Sequence, residues 1–229
     1  MQIELKLKQT QQKISQACIR ANRTDSAIHI VAVTKSVSTE RTEEALQAGL
    51  QHLGENRPEG LLKKQEAITA PAIWHYIGSL QTRKVKQVIN NIHVLHSLDR
   101  LSLADEIQKR AVNIIDCFVQ VNASQEEAKH GIDLTEVEPF IESLKEYDKI
   151  RIIGLMTMAP NTSDETIIRN VFKSLKDMQQ KIAGQQHAHA PCTELSMGMS
   201  NDYEIAIEEG ATYVRIGTAL VGEESEDVT

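Results

Sequence analysis

Ile28-His-Ile-Val-Ala-Val-Thr-Lys35 is a nearly continuous apolar run, rich in β-branched residues, that ends in a lysine. It has no polar face, the pattern of a parallel strand covered on both sides by helices. Seven more runs follow: His52–Asn56, Trp74–Gly78, Val94–Asp99, Ile115–Asn122, Arg151–Met158, Cys192–Met199 and Tyr213–Gly217. Most begin about 20–24 residues after the one before, near what one strand-plus-helix unit needs.

Helical signals fill the intervals. Thr39–Ala48 follows Ser38, a good N-cap, and stops at Gly49, a good residue just past a helix end. Asp133-Leu-Thr-Glu136 reads as a capping box, with Val137, Phe140, Ile141 and Leu144 on one face behind it. Ile168, Val171, Phe172, Leu175, Met178 and Ile182 form another stripe after Ser163, and Asn201-Asp-Tyr-Glu204 caps a short helix ending at Gly210. An additional amphipathic helix, roughly residues 3–22, precedes the first strand. Strand then helix, eight times, predicts an α/β chain: a single (β/α)8 TIM-type barrel with an extra N-terminal helix, one domain over residues 1–229. A doubly wound open sheet is the alternative, but no Gly-x-Gly-x-x-Gly follows the first strand.

Composition narrows the function. Only 3% of the residues are aromatic, so a barrel filled by branched aliphatics is expected. The net charge of −7 argues against nucleic acid as the main partner, since phosphate contacts need a basic face. Cys18, Cys117 and Cys192 form no CxxC pair and no disulfide framework, as expected of reduced thiols in the cytoplasm. The charged, alternating N-terminus is not a signal peptide, and no run reaches the roughly 18 apolar residues of a membrane span. A monomer is expected, because no assembly segment stands out.

In a barrel of this kind the active site lies where the strands end. Lys35 sits at such an end, and two readings stand: a partly desolvated amine able to attack an aldehyde, or a lysine that snorkels to the rim. Ser200 with Arg215-Ile-Gly-Thr218 falls in the loops after strands 7 and 8, a standard phosphate position. Gly217 would let the backbone approach a dianion and Thr218 would add a hydroxyl; the alternative is an N-cap serine and a plain turn. Arg215 should point inward to a partner or outward to a helix carboxylate, a structural ion pair being the commoner case. Asn56 is ambiguous, because Asn56-Arg-Pro-Glu59 also reads as a capping box. His75, His93 and His96 read as core or rim residues, His187 and His189 lack a third metal ligand, and the Lys129-His130-Gly131 turn has no assigned role.

Taken together, Val31-Ala-Val-Thr-Lys35, Gly54-Glu-Asn56, Trp74-His-Tyr-Ile-Gly78, His96-Ser97, Gln120-Val-Asn122, Gly154-Leu-Met-Thr157, Leu195-Ser-Met-Gly-Met-Ser200 and Val214-Arg-Ile-Gly-Thr218 resemble the pyridoxal phosphate homeostasis protein family, small relatives of the alanine racemase barrel. The match spans nearly the whole chain in order. It departs at Pro58-Glu59-Gly60, where the family usually has a Gln-Glu pair, and at Arg83, where asparagine is common. The resemblance implies that Lys35 carries pyridoxal 5′-phosphate as a Schiff base. It implies that Ser200 and the amides around Gly217 and Thr218 bind the phosphate, that Arg215 lies toward the pyridine nitrogen and that Asn56 borders the ring.

The resemblance also implies a role in vitamin B6 and amino-acid homeostasis, with apo-enzymes as possible recipients of the cofactor. Racemases on this scaffold draw a second base from an additional C-terminal domain. The chain ends twelve residues after Gly217, so that domain is not expected and no catalytic residue is assigned. Two other functions remain open: a weak amino-acid racemase or other pyridoxal phosphate enzyme, and an aldolase-like barrel that uses Lys35 on a sugar phosphate without a cofactor.

Overall fold

Eight parallel strands pair in chain order, and the last closes on the first to make a barrel. The structure is a computed structural model that describes residues 2–124 and 130–222. The strands are β1 (His29–Val33), β2 (His52–Glu55), β3 (Ile73–Tyr76), β4 (Val94–Leu98), β5 (Ile115–Gln120), β6 (Ile150–Met156), β7 (Glu194–Ser196) and β8 (Tyr213–Ile216). Each falls within a residue or so of its predicted run, with one to three residues of each polar C-terminal end lying in the loop beyond the ladder.

Helix α1 (Gln2–Arg20) precedes the barrel; α2 (Thr39–Gln47), α3 (Pro58–Ala67), α4 (Val85–Val88) and α5 (Leu101–Arg110) follow the first four strands. Then come α6 (Val137–Ser143), α7 (Glu165–Gly184), α8 (Tyr203–Glu208) and α9 (Thr218–Val221). The stripe Ile3, Leu7, Ile14, Ala17 and Cys18 seats α1 against α8 and α9. Arg20 clamps that contact, donating through Nε to Glu208 Oε1 at 2.6 Å. No helix among the described residues is long and apolar enough to cross a membrane.

Local signals set several helix ends. Ser38 accepts a hydrogen bond from the Arg41 amide and so caps α2, as expected. Two expected capping boxes do not form. Asp133 precedes a 3-10 turn, Leu134–Glu136, and its side chain makes no capping bond. In Asn56-Arg-Pro-Glu59 the capping position is Arg57, with Pro58 opening the helix, because proline fixes a helical φ and needs no N–H partner there. Lys129, part of the predicted turn after β5, lies outside the described residues.

The expectation of an aliphatic barrel interior is corrected. The large, mostly aliphatic core lies between strands and helices, built from residues such as Leu53, Leu95, Ile107, Ile141 and Leu175. Register decides what faces inward: His52 pairs with Val31, Gly54 with His75, and His75 with Val94. Partners in a parallel ladder share a face, so His52, His75 and His96 all point into the barrel. A small cluster of Val94, Phe118 and Met156 shares that interior. Gly154 makes room for it: a Cβ there would fall 2.0 Å from the Glu194 carbonyl oxygen and 2.9 Å from the Phe118 ring.

Candidate functional site

At the C-terminal mouth of the barrel a cavity of about 310 Å3 brings together Lys35, Ser200, Arg215, Gly217 and Thr218. Five of the six residues singled out by sequence therefore line one cavity. Ala159–Thr162, the loop after β6, borders the same space.

Lys35 lies in the turn two residues beyond β1. The turn is fixed from below by a buried ionic cluster. The Lys64 ammonium donates to Glu55 Oε1 at 2.7 Å and to the Thr34 carbonyl oxygen at 2.5 Å. Thr34 Oγ1 donates to the same Glu55 oxygen at 2.6 Å. Lys64 and Glu55 are 5% and 1% exposed, so the pair is held in a setting where losing either partner is costly. Lys35 itself is exposed, which agrees with the rim placement, one of the two readings its position allowed. The turn holds the base of the side chain while the ammonium group remains accessible from the cavity.

Ser200 is placed by the loop after β7. Gly198 adopts φ +91°, and a Cβ there would lie 2.5 Å from the Ala206 Cβ, so only glycine lets α8 pack against the loop. Asp202 Oδ1 then accepts from the Met199 amide at 2.6 Å. Burial raises the Asp202 carboxyl above its usual pKa, while that amide and the Arg215 charge act the other way. The Gly217 amide donates to Ser200 Oγ at a long 3.4 Å, which joins the loops after β7 and β8. A Cβ on Gly217 would meet Val33 at an ordinary 3.4 Å, so there is space for it. The bare backbone keeps the cavity wall open.

Arg215 points inward, at 5% exposure. Its expected carboxylate partner is replaced by neutral acceptors. Nη1 donates to Ser196 Oγ at 2.5 Å and Nη2 to the Thr157 carbonyl oxygen at 3.0 Å. Burial lowers its pKa to about 10, partly opposed by the Asp202 charge, so it remains cationic at neutral pH. A buried cation on a cavity floor, an accessible primary amine, and a hydroxyl beside a bare backbone amide suit one class of ligand. That class is a compact molecule with a carbonyl and a phosphate.

Asn56 is not among the residues lining the cavity. It follows β2 and packs against Gly78, where a Cβ would come within 2.6 Å of the Asn56 carbonyl oxygen. Ser196 and Asp202 received no site role from the sequence, although both lie in or beside Leu195–Ser200. The signal was present as Ser196's position two residues before Gly198, but its contact with Arg215 depends on the pairing of Ser196 with Tyr213. A larger hollow of about 640 Å3 opens near the N-terminal ends of β3–β5, walled in part by Asn91, His93, Asp116 and Arg151. Its lining carries no lysine, cysteine or serine, and Arg151 is already paired with Asp116.

The model of the alanine racemase N-terminal domain family matches residues 7–225. The pyridoxal phosphate homeostasis protein of Aquifex aeolicus is 40% identical over 222 residues, covering 95% of this chain and 96% of that one. A crystal structure of an unknown protein from Bifidobacterium adolescentis superposes with a TM-score of 0.89 at 32% identity, covering 95% of this chain and 94% of that one. The structure of PipY from Synechococcus elongatus PCC7942 with PLP bound gives 0.80 at 27% identity, covering 91% of this chain and 100% of that one. Near-complete coverage at these identities places the sequence motifs and the barrel in one group. The chain belongs to the alanine racemase N-terminal domain family, alongside relatives named pyridoxal phosphate homeostasis protein.

Proposed function

We propose that the chain is a single-domain, cytoplasmic protein that binds pyridoxal 5′-phosphate through Lys35 and serves vitamin B6 and amino-acid homeostasis. The observation that carries this reading is the convergence of Lys35, Ser200, Arg215, Gly217 and Thr218 on one cavity of about 310 Å3. That volume is at the small end of ligand sites, roughly 300–1,000 Å3, and suits one compact cofactor. The names of the Aquifex relative and of the PLP-bound PipY structure support the same reading. The described cysteines are free and buried, which agrees with a reducing compartment.

When bound, the cofactor supplies an aldehyde for covalent capture and a ring that can accept electrons. Lys35 Nζ is the accessible amine that would attack, and the Glu55–Lys64–Thr34 cluster fixes the turn from which it reaches. Ser200 Oγ and Thr218 Oγ1 can donate to phosphate oxygens, and the Gly217 amide, whose bond to Ser200 Oγ is long at 3.4 Å, could turn to the phosphate as a backbone donor. Arg215 is a permanent donor, so a ring nitrogen set against it would be held unprotonated and less able to take up electrons. The accessible Lys35 leaves water near the reacting amine, which favours reversible holding, and release to apo-enzymes, over rapid turnover.

Borohydride reduction followed by peptide mass spectrometry tests the attachment. A pyridoxyl adduct on Lys35, absent in Lys35→Ala, is expected. Failure to reconstitute any adduct, or an adduct confined to another lysine, would overturn the reading. Chiral analysis of amino acids separates holding from racemisation: turnover on the order of 1–1,000 s−1 would identify an ordinary enzyme.

A further inference from the structure

Below Arg215 the barrel interior holds a continuous line of polar side chains. Ser196 Oγ, which accepts from Arg215 Nη1 at 2.5 Å, lies 2.8 Å from His96 Nδ1. His96 Nε2 lies 2.8 Å from His75 Nδ1, and His75 Nε2 lies 2.9 Å from His52 Nδ1. Ser196, His96 and His75 are at most 1% exposed, while His52 is half-buried at the start of β2. There His52 borders a hollow of about 220 Å3, with His29, Gly49 and the α1 residues Leu7 and Gln11. The line therefore runs from the N-terminal mouth to the floor of the cavity at the opposite end.

We propose that Ser196, His96, His75 and His52 form a one-way hydrogen-bond chain that positions Arg215, and that Arg215 dictates the tautomer of each imidazole in it. A guanidinium only donates, so Ser196 Oγ must accept from Arg215. Among the described residues the other partner of that oxygen is His96 Nδ1, so the serine proton goes there. Each neutral imidazole has one donor and one acceptor nitrogen. His96 must then carry its proton on Nε2 and donate to His75, which must do the same toward His52. His52 ends the chain with its own proton on Nε2. The opposite polarity would leave the serine proton without an acceptor in a sealed site.

Burial keeps the chain neutral. Desolvation, reinforced by neighbouring imidazoles, holds His75 and His96 far below the usual histidine pKa, and the Arg215 charge lowers His96 further. Desolvation with a smaller contribution from His29 brings His52 down to about 4. His29, His93 and Arg215 are the nearby groups of positive or potentially positive charge, while the Tyr213 and Phe118 rings pack against the line. A carboxylate partner would orient Arg215 and cancel its charge. Neutral acceptors orient it, and the one carboxylate that acts on its charge among the described residues, Asp202, is not one of its hydrogen-bond partners.

The consequence is independent of whether the cavity takes pyridoxal phosphate. Long-range proton–nitrogen-15 spectra of the full chain at neutral pH report the tautomer of each ring directly. The expected result is three neutral rings protonated on Nε2. Ser196→Ala should release His96 and His75 to mixed tautomers, and Ser196→Thr, which keeps the hydroxyl, should restore them. His52→Phe, at the half-exposed far end, should leave His96 and His75 unchanged because the polarity is imposed from Arg215. Protonation of any of the three on Nδ1 would overturn the proposal. So would tautomers that survive Ser196→Ala, or that change in His52→Phe, which remains informative even if the serine variant does not fold.

Discussion

The Lys64 ammonium donates to the carbonyl oxygen of Thr34, at 2.5 Å, the residue immediately before Lys35. A buried ion pair thus holds the backbone from which the proposed cofactor lysine extends. Lys64→Met leaves Glu55 buried with, among the described residues, the Thr34 hydroxyl as its remaining side-chain donor. It should cost about 3–5 kcal/mol in urea unfolding. Lys64→Met with Glu55→Leu should recover most of that loss, since no buried charge is stranded, yet slow adduct formation on Lys35. A double variant as unstable as the single one would show that the pair is not the source of the cost.

Lys35→Ala should change stability by no more than about 0.5 kcal/mol, because the residue is exposed. The same variant should abolish the borohydride-trapped adduct. Thermal melts and mass spectra of one preparation check both, and a large drop in melting temperature would mean Lys35 is structural.

Ser200→Ala should weaken cofactor affinity about 10–100-fold, the equivalent of one hydrogen bond to a charged group at roughly 1.5–3 kcal/mol. Gly217→Ala, whose Cβ would meet Val33 at 3.4 Å, should place a methyl on the cavity wall near Ser200 and weaken affinity as well. Equilibrium titration of the apo-protein compares the two. Wild-type affinity in both would move the phosphate site elsewhere.

Gly198→Ala combines a left-handed φ of +91° with a 2.5 Å approach to Ala206. A loss of about 2–4 kcal/mol is expected, the sum of backbone strain and steric displacement. Because Gly198 positions the loop that carries Ser200, affinity should fall further than in Ser200→Ala. Unfolding curves and cofactor titration on the same variant separate the two losses.

Acid should destabilise the protein through its core histidines. His75 and His96 stay neutral in the folded chain, whereas in the unfolded chain they protonate near the ordinary value of about 6.5. The unfolded state therefore binds more protons, and their contribution is complete above pH about 6.5 and falls as the pH drops below it. Between pH 6.5 and 5.5 the pair should cost about 2 kcal/mol, with a smaller, solvent-screened share from His52. Burial is the main cause that keeps protons out of the line, and the neighbouring imidazoles, His29, His93 and Arg215 add to it. Urea melts at the two pH values measure the loss, and His75→Gln should reduce it by about half. A flat response would mean these rings accept protons in the folded state.

The eight strands were legible because each has a strongly apolar face toward the helices, and runs such as Ile28–Lys35 and Ile115–Asn122 are rich in β-branched and other apolar residues. Helix starts were less legible. Ser38 caps α2 as read, but Asp133 and Asn56 do not cap, because a 3-10 turn and Pro58 take over the opening turns. The site was readable where it followed from position alone: Lys35, Ser200, Arg215, Gly217 and Thr218 all lie near strand ends and meet at one cavity. Asn56, read by the same rule, falls outside the lining of that cavity.

The sequence by itself determined the strand count, the parallel order and the end of the barrel where chemistry collects, since these follow from local hydrophobic pattern and chain direction. Only the tertiary structure decided which way Arg215 faces and what it touches. That outcome depends on ladder register, in which Ser196 pairs with Tyr213 and Gly54 with His75, bringing inward four side chains far apart in the chain. A one-residue change of register would turn each of them to the opposite face. Composition suggested an interior of branched aliphatics, but register filled it with imidazoles ending at an arginine.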